Sequence, residues 1–266
     1  MKVASRLVAG TVLAGALAAA AFPVALTTTA PAGAAMAAAT GPGTGAAAGR
    51  LYGQAFATTR SWSVHYASAS QTTSSGVKVS LLVTGDAGPA SGTQSVYFSR
   101  GTVNGSISIE VIGGITYVKG DANGLANLAG LNALQARASA GKWVDFPTSD
   151  AAFSQVVAGV RSSDIAAELA LSGPLTLART RTLHGLAVLA LDGTQTQSAS
   201  GSANATHQRV VLYVRAHGRH LPVEEDSVNA KGHTTGAFHV IYSNWGERVR
   251  PQAPLAAVTL GPVTTT

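Results

Sequence analysis

The stretch at residues 106–120, SISIEVIGGITYVKG, predicts two short strands joined by a two-residue turn at Gly113 and Gly114. With that turn, Ile109 lies opposite Val118 on the neighbouring strand. Since successive side chains of a strand point to opposite faces, the apolar residues of this hairpin share one face and the polar residues share the other. Most of the other strand-like segments repeat this one-sided alternation, which predicts a large antiparallel sheet with one covered face.

Eight further segments have the alternation of strands, and a short amphipathic helix at residues 50–60 precedes them. The predicted strands lie at residues 62–67, 77–84, 96–98, 175–180, 186–191, 210–215, 221–229 and 238–244. Turn-forming residues predict turns at residues 85–92, at Asp192 and Gly193, and at residues 217–219. Residues 249–266 contain prolines, which is typical of an edge strand or a tail.

Residues 121–171 depart from this pattern, because their apolar period is close to that of a helix. Leu125, Leu128, Leu131 and Leu134 recur every third residue, which gives a broad apolar face rather than a narrow seam. Glycines interrupt this helical run, so we expect it to be held by what it packs against.

The rest of this insertion holds a break and two further predicted helical pieces. The break is GKWVDFP at residues 141–147, which carries Trp143 and Phe146. A helix then starts at residues 149–150, and a last piece starts at residues 162–164. The apolar stripe of the first of these helices consists of Phe153, Val156, Val157 and Val160.

Strands, a helical insertion and strands again predict an α+β fold, in which a large curved antiparallel sheet, or half-barrel, carries the helices on its concave face. Residues 50–254 form this domain, which has a normal size for one core. Residues 1–35 have the basic start, the apolar run and the small-residue sites of a secretory signal peptide, and residues 36–49 form a flexible Ala/Gly linker. Residues 255–266 are a C-terminal tail.

The predicted signal peptide indicates a protein that is secreted or extracytoplasmic in the cell envelope. After signal cleavage we expect no stable membrane span. An uncleaved signal segment would instead anchor the protein in the membrane. The chain has no cysteine, which excludes attachment of a lipid through cysteine, disulfides and thiolate metal sites. Its formal net charge is +6, but no basic run with interleaved aromatics exists, so nucleic acid is not an expected partner.

Four segments resemble actinobacterial exported proteins of the LppX/LprG type, which are relatives of the lipoprotein carriers LolA and LolB. They are the GGITYVKG hairpin, GKWVDFP at residues 141–147, LYVRAHGRHLPVE at residues 212–224 and FHVIYSNWGERVRPQAP at residues 238–254. The resemblance implies a half-open antiparallel barrel with helices on its concave side, and several members carry acylated lipids between these layers. The chain departs from the anchored members because it lacks the lipid-attachment cysteine.

The architecture predicts a non-enzymatic carrier or binding protein that holds an acylated lipid or another apolar ligand between sheet and helices. Alanines and glycines are frequent in the insertion and fill volume poorly, which favours an incompletely filled interior. The predicted ligand-binding residues are Val79, Leu81, Phe98, Ile107, Ile109 and Val118 from the sheet, Leu128, Leu131, Phe153 and Val157 from the helices, and Trp143 and Phe146 at the rim.

An alternative from a different class is a filled-core interaction or sensor module with no ligand cavity. It would recognise an envelope protein partner through an exposed patch around Trp245, Arg248 and Arg250.

Catalysis and metal binding find less support in the sequence. Nucleophile elbows, phosphate loops and dinucleotide fingerprints are missing, and the acidic trio at residues 224–226 alternates between two faces of its strand. His217, His220, His233 and His239 suggest a metal site, but arginines flank the turn that holds the first two. We therefore predict no catalytic residues, no metal site and no cofactor.

Overall fold

The computed structural model of the chain describes residues 44–74, 76–149, 156–197, 206–228 and 234–260. These residues form four helices and thirteen strands. The helices are α1 Thr44–Ser61, α2 Ala122–Asn127, α3 Ala133–Ser139 and α4 Ser162–Glu168. The strands are β1 Val64–Ser74, β2 Val77–Ala87, β3 Gly92–Arg100, β4 Val103–Ile112, β5 Ile115–Gly120, β6 Trp143–Pro147, β7 Ser172–Leu177, β8 Arg181–Leu183, β9 Leu186–Gln197, β10 Thr206–Arg215, β11 Pro222–Val228, β12 Thr234–Ser243 and β13 Ala257–Thr259.

All thirteen strands belong to one sheet. Its order is β13-β6-β5-β4-β3-β2-β1-β12-β11-β10-β9-β7, and β8 pairs with β9 beside this path. Neighbouring strands are antiparallel except β13 and β6, which are parallel. Among the described strands the two ends, β13 and β7, do not pair, so the sheet is an open half-barrel. With helices on one face, this confirms the predicted α+β class.

The hairpin of β4 and β5 has the predicted turn and register. Gly113 and Gly114 have φ values of 58° and 86°, a conformation that glycine adopts without steric cost and that suits a two-residue hairpin turn. Ile109 is paired with Val118, as the alternation requires. The buried face of the hairpin consists of Ile107, Ile109, Val111, Thr116 and Val118.

The same face of the other strands continues this surface, which we call the inner face. Its members in the second half of the sheet include Leu191, Leu212 and Val240. All four helices add buried residues to the same hydrophobic cluster, and these are Ala48, Leu51 and Ala55 of α1, Leu125 of α2, Ala136 of α3 and Ile165 of α4. The helices therefore cover the inner face, and the core lies between the two layers.

Helix α2 lies directly on β4 because two glycines meet there. A Cβ atom on Gly124 would lie 2.1 Å from the carbonyl oxygen of Ser106, and one on Gly105 would lie 2.5 Å from the backbone nitrogen of Gly124. Asp121 joins the two elements, since its Oδ1 accepts from the Gly124 N–H at 2.7 Å and its Oδ2 accepts from the Ser106 N–H at 2.8 Å. The side chain thus caps α2 and holds it on the strand.

The insertion is less helical than predicted. The predicted break at residues 141–147 is wrong, because Trp143–Pro147 is strand β6, which pairs with β5 on one edge and with β13 on the other. This pairing satisfies backbone groups along the outer edge of β5. Val144 and Phe146 of β6 are buried in the main core, so Phe146 lies inside the core and not in a break between helices.

Gly130, with φ of 72°, separates the predicted leucine-rich helix into α2 and α3. Asn132 then caps α3 together with Gln135, and this second helix leaves Leu134 80% exposed. Of the next predicted helix, residues 150–155 lie outside the described residues, and residues 156–159 form a turn.

One predicted turn is wrong and another is shorter than predicted. Asp192 and Gly193 lie inside β9, and strand β2 continues through Gly85 to Ala87, so the turn predicted at residues 85–92 is confined to residues 88–91. In both strands the glycine marks a close approach, because a Cβ on Gly85 would lie 2.6 Å from the carbonyl oxygen of Thr93 and one on Gly193 would lie 2.8 Å from a methyl group of Leu175.

At the C-terminus, β13 is an edge strand, one of the two expected alternatives. Across the described part of the chain, no helix has both the length and the apolar character that a membrane crossing requires.

Candidate ligand-binding site

Eight of the predicted ligand-binding residues come together in one buried cluster between sheet and helices. They are Leu81, Phe98, Ile107, Ile109, Val118, Leu128, Leu131 and Phe146. Val157 is half-buried and packs against this cluster. Val79 is half-buried near the start of β2, and Phe153 lies outside the described residues. Trp143 is half-buried on the opposite face from Val144 and Phe146, because side chains alternate along β6.

A polar group that no sequence pattern predicted lies in the middle of the inner face. We call it the inner polar patch. Its members are Tyr66 of β1, Gln94 of β3, Gln195 of β9, Glu225 of β11, Tyr242 of β12 and Glu168 at the end of α4. Several strands therefore place polar side chains at positions where the alternation calls for apolar ones.

One half of the inner polar patch is formed by Tyr66 and Gln94. The Gln94 Nε2 donates to the Tyr66 hydroxyl at 2.6 Å and to the carbonyl oxygen of Ala158 at 3.2 Å. Gly159, with φ of 81°, lies directly against the pair, since a Cβ there would be 2.9 Å from Gln94 Nε2 and 3.3 Å from the Tyr66 hydroxyl. The turn at residues 156–159 thus closes over this half of the patch.

Glu225 is the centre of the other half. Gln195 Nε2 donates to Glu225 Oε1 and also to the backbone carbonyl of Glu168, the latter at 2.8 Å. The Tyr242 hydroxyl donates to Glu225 Oε2 at 3.3 Å. The carboxyl group of Glu225 is therefore held by two donors from β9 and β12.

Burial sets the protonation of the two carboxyl groups in the inner polar patch. It raises the pKa of Glu225 to about 8, and the nearby charges of Glu168 and Asp226 act in the same direction. Burial also raises the pKa of Glu168 to about 8, with a further contribution from Asp164. Glu168 is half-buried as a residue, whereas its carboxyl group lies deep among protein atoms. Both groups are thus mainly protonated and uncharged near neutral pH.

The inner polar patch also has unmet hydrogen-bonding capacity. Among the described residues, Gln94 Oε1 and the nearby Ser68 Oγ of β1 are buried with no hydrogen-bond partner. Leaving such an atom unpaired costs about 1–3 kcal/mol, so two of them on one surface call for an explanation.

The acidic trio is divided as its alternation predicts. Glu225 faces inward, whereas Glu224 and Asp226 face outward and contact His184 and His239. The opposite placement of Glu225 and its two acidic neighbours was therefore readable from the sequence, but the contacts of Glu225 with Gln195 and Tyr242 were not, because those residues lie on other strands.

The other candidate residues do not form sites of the expected kind. Trp245 is half-buried, donates from Nε1 to the carbonyl oxygen of Pro222 at 2.8 Å and packs on Tyr242 with ring centroids 6.3 Å apart. Arg248 and Arg250 are exposed.

Of the histidines that suggested a metal site, His220 makes a local hydrogen bond, in which Nδ1 donates to the Arg215 carbonyl oxygen at 2.9 Å, and His217 is exposed. His233 lies outside the described residues, and His239 lies on the outer face beside Asp226.

No protein-family model and no curated protein matches the chain. Among solved structures, it is similar to LprF from Mycobacterium bovis, at 14% identity and a TM-score of 0.49, over 79% of this chain and 98% of that one. It is similar to the lipoprotein LppX from Mycobacterium tuberculosis, at 16% identity and a TM-score of 0.46, over 77% and 98% of the two chains. It is also similar to a LolA superfamily protein from Nitrosomonas europaea, at 13% identity and a TM-score of 0.26, over 77% and 94%. At these scores the likenesses assign no activity to this chain.

Proposed function

We propose that this chain is a non-enzymatic, exported carrier or binding protein for an amphiphilic ligand, such as an acylated lipid, held between the inner face and the helices. One observation carries the proposal: the apolar cluster adjoins a buried, nearly uncharged polar patch in which Gln94 Oε1 and Ser68 Oγ lack partners among the described residues. An amphiphile has the same two parts, an apolar chain and a polar head.

The chemistry of the patch narrows the head group. Both unpaired atoms can accept a hydrogen bond, so a ligand hydroxyl or amide N–H would satisfy them. The six residues of the inner polar patch include no lysine or arginine, and the carboxyl groups of Glu168 and Glu225 would repel an anion when ionised. We therefore infer a neutral head group with hydroxyl or amide donors.

The apolar part of the ligand would lie against the cluster on the β4 side of the patch. Ile107 and Ile109 of β4 face Leu125 and Leu128 of the helical layer across the core. These side chains offer no hydrogen bonds, so they suit an acyl chain and do not compete for the head group. This agrees with what the sequence resemblance implies.

A second candidate function has an observation of its own in its favour. Eight of the twelve predicted ligand-binding residues are buried in one packed cluster, as expected for a filled core that serves an interaction or sensor module. In this case the unpaired atoms Gln94 Oε1 and Ser68 Oγ would be internal defects that no ligand satisfies.

Replacement of Ser68 by alanine separates the two functions. If Ser68 Oγ binds the head group, the variant should bind the ligand about tenfold more weakly and retain less of it than the wild type after purification without detergent, since one hydrogen bond contributes about 1.4 kcal/mol. Ser70→Ala is the matched control, because Ser70 is a buried hydroxyl on the same face of β1 that has a partner of its own. The control should lose stability but keep its ligand. If neither the wild type nor Ser68→Ala carries a ligand and Ser68→Ala has the higher melting temperature, the filled core is supported instead.

A further inference from the structure

The outer face of the sheet carries a compact group of carboxylates and imidazoles around β11. Glu224 and Asp226 are two residues apart on this strand and project from the same side. His239 of β12 is directly opposite Asp226, with Nδ1 2.8 Å from Asp226 Oδ1. His184, in the turn between β8 and β9, places Nε2 2.5 Å from Glu224 Oε2. Four side chains from three parts of the chain therefore converge on one spot.

The two carboxylates of this group are set into the sheet, and the imidazoles lie toward solvent. The side chains of Glu224 and Asp226 are only 7% and 12% exposed, whereas those of His184 and His239 are 47% and 38% exposed. Two adjacent buried carboxylates need a compensating positive charge.

Residues of the neighbouring strands flank the group on both sides. Tyr213 of β10 is directly opposite Glu224, and the Arg181 guanidinium lies 3.9 Å above the Tyr213 ring centroid. Ile241 of β12 flanks Glu224 on the other side. An ion entering the group would therefore approach from the side of the two exposed imidazoles.

We propose that Glu224, Asp226 and His239 bind one first-row divalent cation, for which Zn²⁺ is the best match, and that His184 orients Glu224 or completes the coordination. One potential ligand atom of each of the first three residues lies within 4.8 Å of the others. A tetrahedral ion with bonds of about 2.0–2.2 Å needs ligand atoms about 3.4 Å apart, so each side chain would move by less than about 1 Å.

The donor set selects the ion. Carboxylate oxygens with imidazole nitrogens suit Zn²⁺, whereas Mg²⁺ and Ca²⁺ prefer oxygen donors alone. The proposed ligands lie on adjacent paired strands, which hold them more firmly than a loop would. His184 forms a hydrogen bond with Glu224, which is one of the proposed ligands. Residues in this position commonly fix the orientation of a metal ligand. The proposal does not depend on the ligand proposed for the inner face.

Calorimetric titration of the secreted chain, prepared without a polyhistidine tag, with zinc chloride tests the site. We expect one ion per chain, and we expect His239→Gln and Asp226→Asn each to weaken binding by at least about tenfold. His65→Gln is the matched control, because His65 Nδ1 also lies 2.8 Å from a carboxylate oxygen, that of Asp86, but as an isolated pair. The control should bind zinc like the wild type.

The proposal is overturned if the wild-type chain takes up no zinc, or if His65→Gln weakens binding as much as His239→Gln, which would mean adventitious binding to surface histidines. It is also overturned if His239→Gln binds as the wild type does. The melting temperature of each variant is measured first. If Asp226→Asn does not fold, the zinc affinity of His239→Gln decides alone, because the His239 side chain is partly exposed and its replacement should leave the fold intact. Mg²⁺ in hundredfold excess should leave zinc binding unchanged.

Discussion

The contact between α2 and β4 sets the distance between the helical layer and the sheet, and replacement of Gly124 by alanine tests it. The added Cβ would lie 2.1 Å from the Ser106 carbonyl oxygen and 2.6 Å from its carbon, and these backbone atoms cannot rotate away. Overpacking costs about 1–3 kcal/mol, and a backbone contact lies at the upper end of that range. Alanine gains about 1 kcal/mol over glycine in a helix. We therefore expect the free energy of unfolding to fall by about 2 kcal/mol.

Gly53 provides the control, because it is exposed in α1 and a Cβ there would meet nothing within 4 Å. Gly53→Ala should raise the free energy of unfolding by about 0.5–1 kcal/mol through helix propensity alone. Urea unfolding followed by circular dichroism compares the two variants with the wild type. If Gly124→Ala is as stable as Gly53→Ala, the two layers are not in the close contact described and the reasoning fails.

Three further outcomes follow from the described structure. Leu131→Ala should lower the free energy of unfolding by about 2–4 kcal/mol, because Leu131 is 5% exposed. Leu134→Ala should change it by less than about 0.5 kcal/mol, because Leu134 is 80% exposed. Comparison of the urea unfolding midpoints of the two variants tests this difference. Glu168, with its pKa raised from 4.5 to about 8, binds a proton more tightly when folded, so its contribution to stability is present below pH 4.5 and is lost progressively as the pH rises from there to about 8. Glu168→Gln should therefore melt closer to the wild type at pH 5 and above it at pH 9, and a constant difference across this range would contradict the shift. Trp245→Ala should lower the free energy of unfolding by about 2 kcal/mol, because it removes the hydrogen bond to the Pro222 carbonyl oxygen and the packing on Tyr242. A melting temperature equal to that of the wild type would contradict this stabilising role.

The β4–β5 hairpin was predictable because all its determinants are local. Two adjacent glycines supply the turn, and alternation assigns each side chain to a face. The same alternation predicted that Glu225 would face away from Glu224 and Asp226.

Strand β6 was not predictable in the same way, because it depends on partners far along the chain. Its five residues are flanked by helices, and only the available edge of β5 and the return of β13 make WVDFP a strand. Gly193 was misinterpreted for a related reason. A glycine that permits a turn and one that permits the approach of Leu175 look alike until the neighbouring strand is in place.

The inner polar patch and the group around Glu224 were not predictable, because their members lie far apart in the sequence. Gln195 and Glu225 are 30 residues apart, and His184 and Glu224 are 40 residues apart. Gln195 lies on β9 and His184 lies in the turn between β8 and β9, and β10 separates β9 from the strand β11 of Glu224 and Glu225, so both contacts follow from the strand order and not from any local motif.

The presence of an amphiphile between the two layers is the central claim, and it is tested most directly by what the purified protein contains. The chain is purified without detergent and extracted into organic solvent, and the extract is analysed by mass spectrometry. We predict an acylated species with a neutral, hydroxyl- or amide-bearing head group in about stoichiometric amount. An empty extract, again empty after incubation of the protein with envelope lipids, would contradict the carrier function and favour the filled-core module.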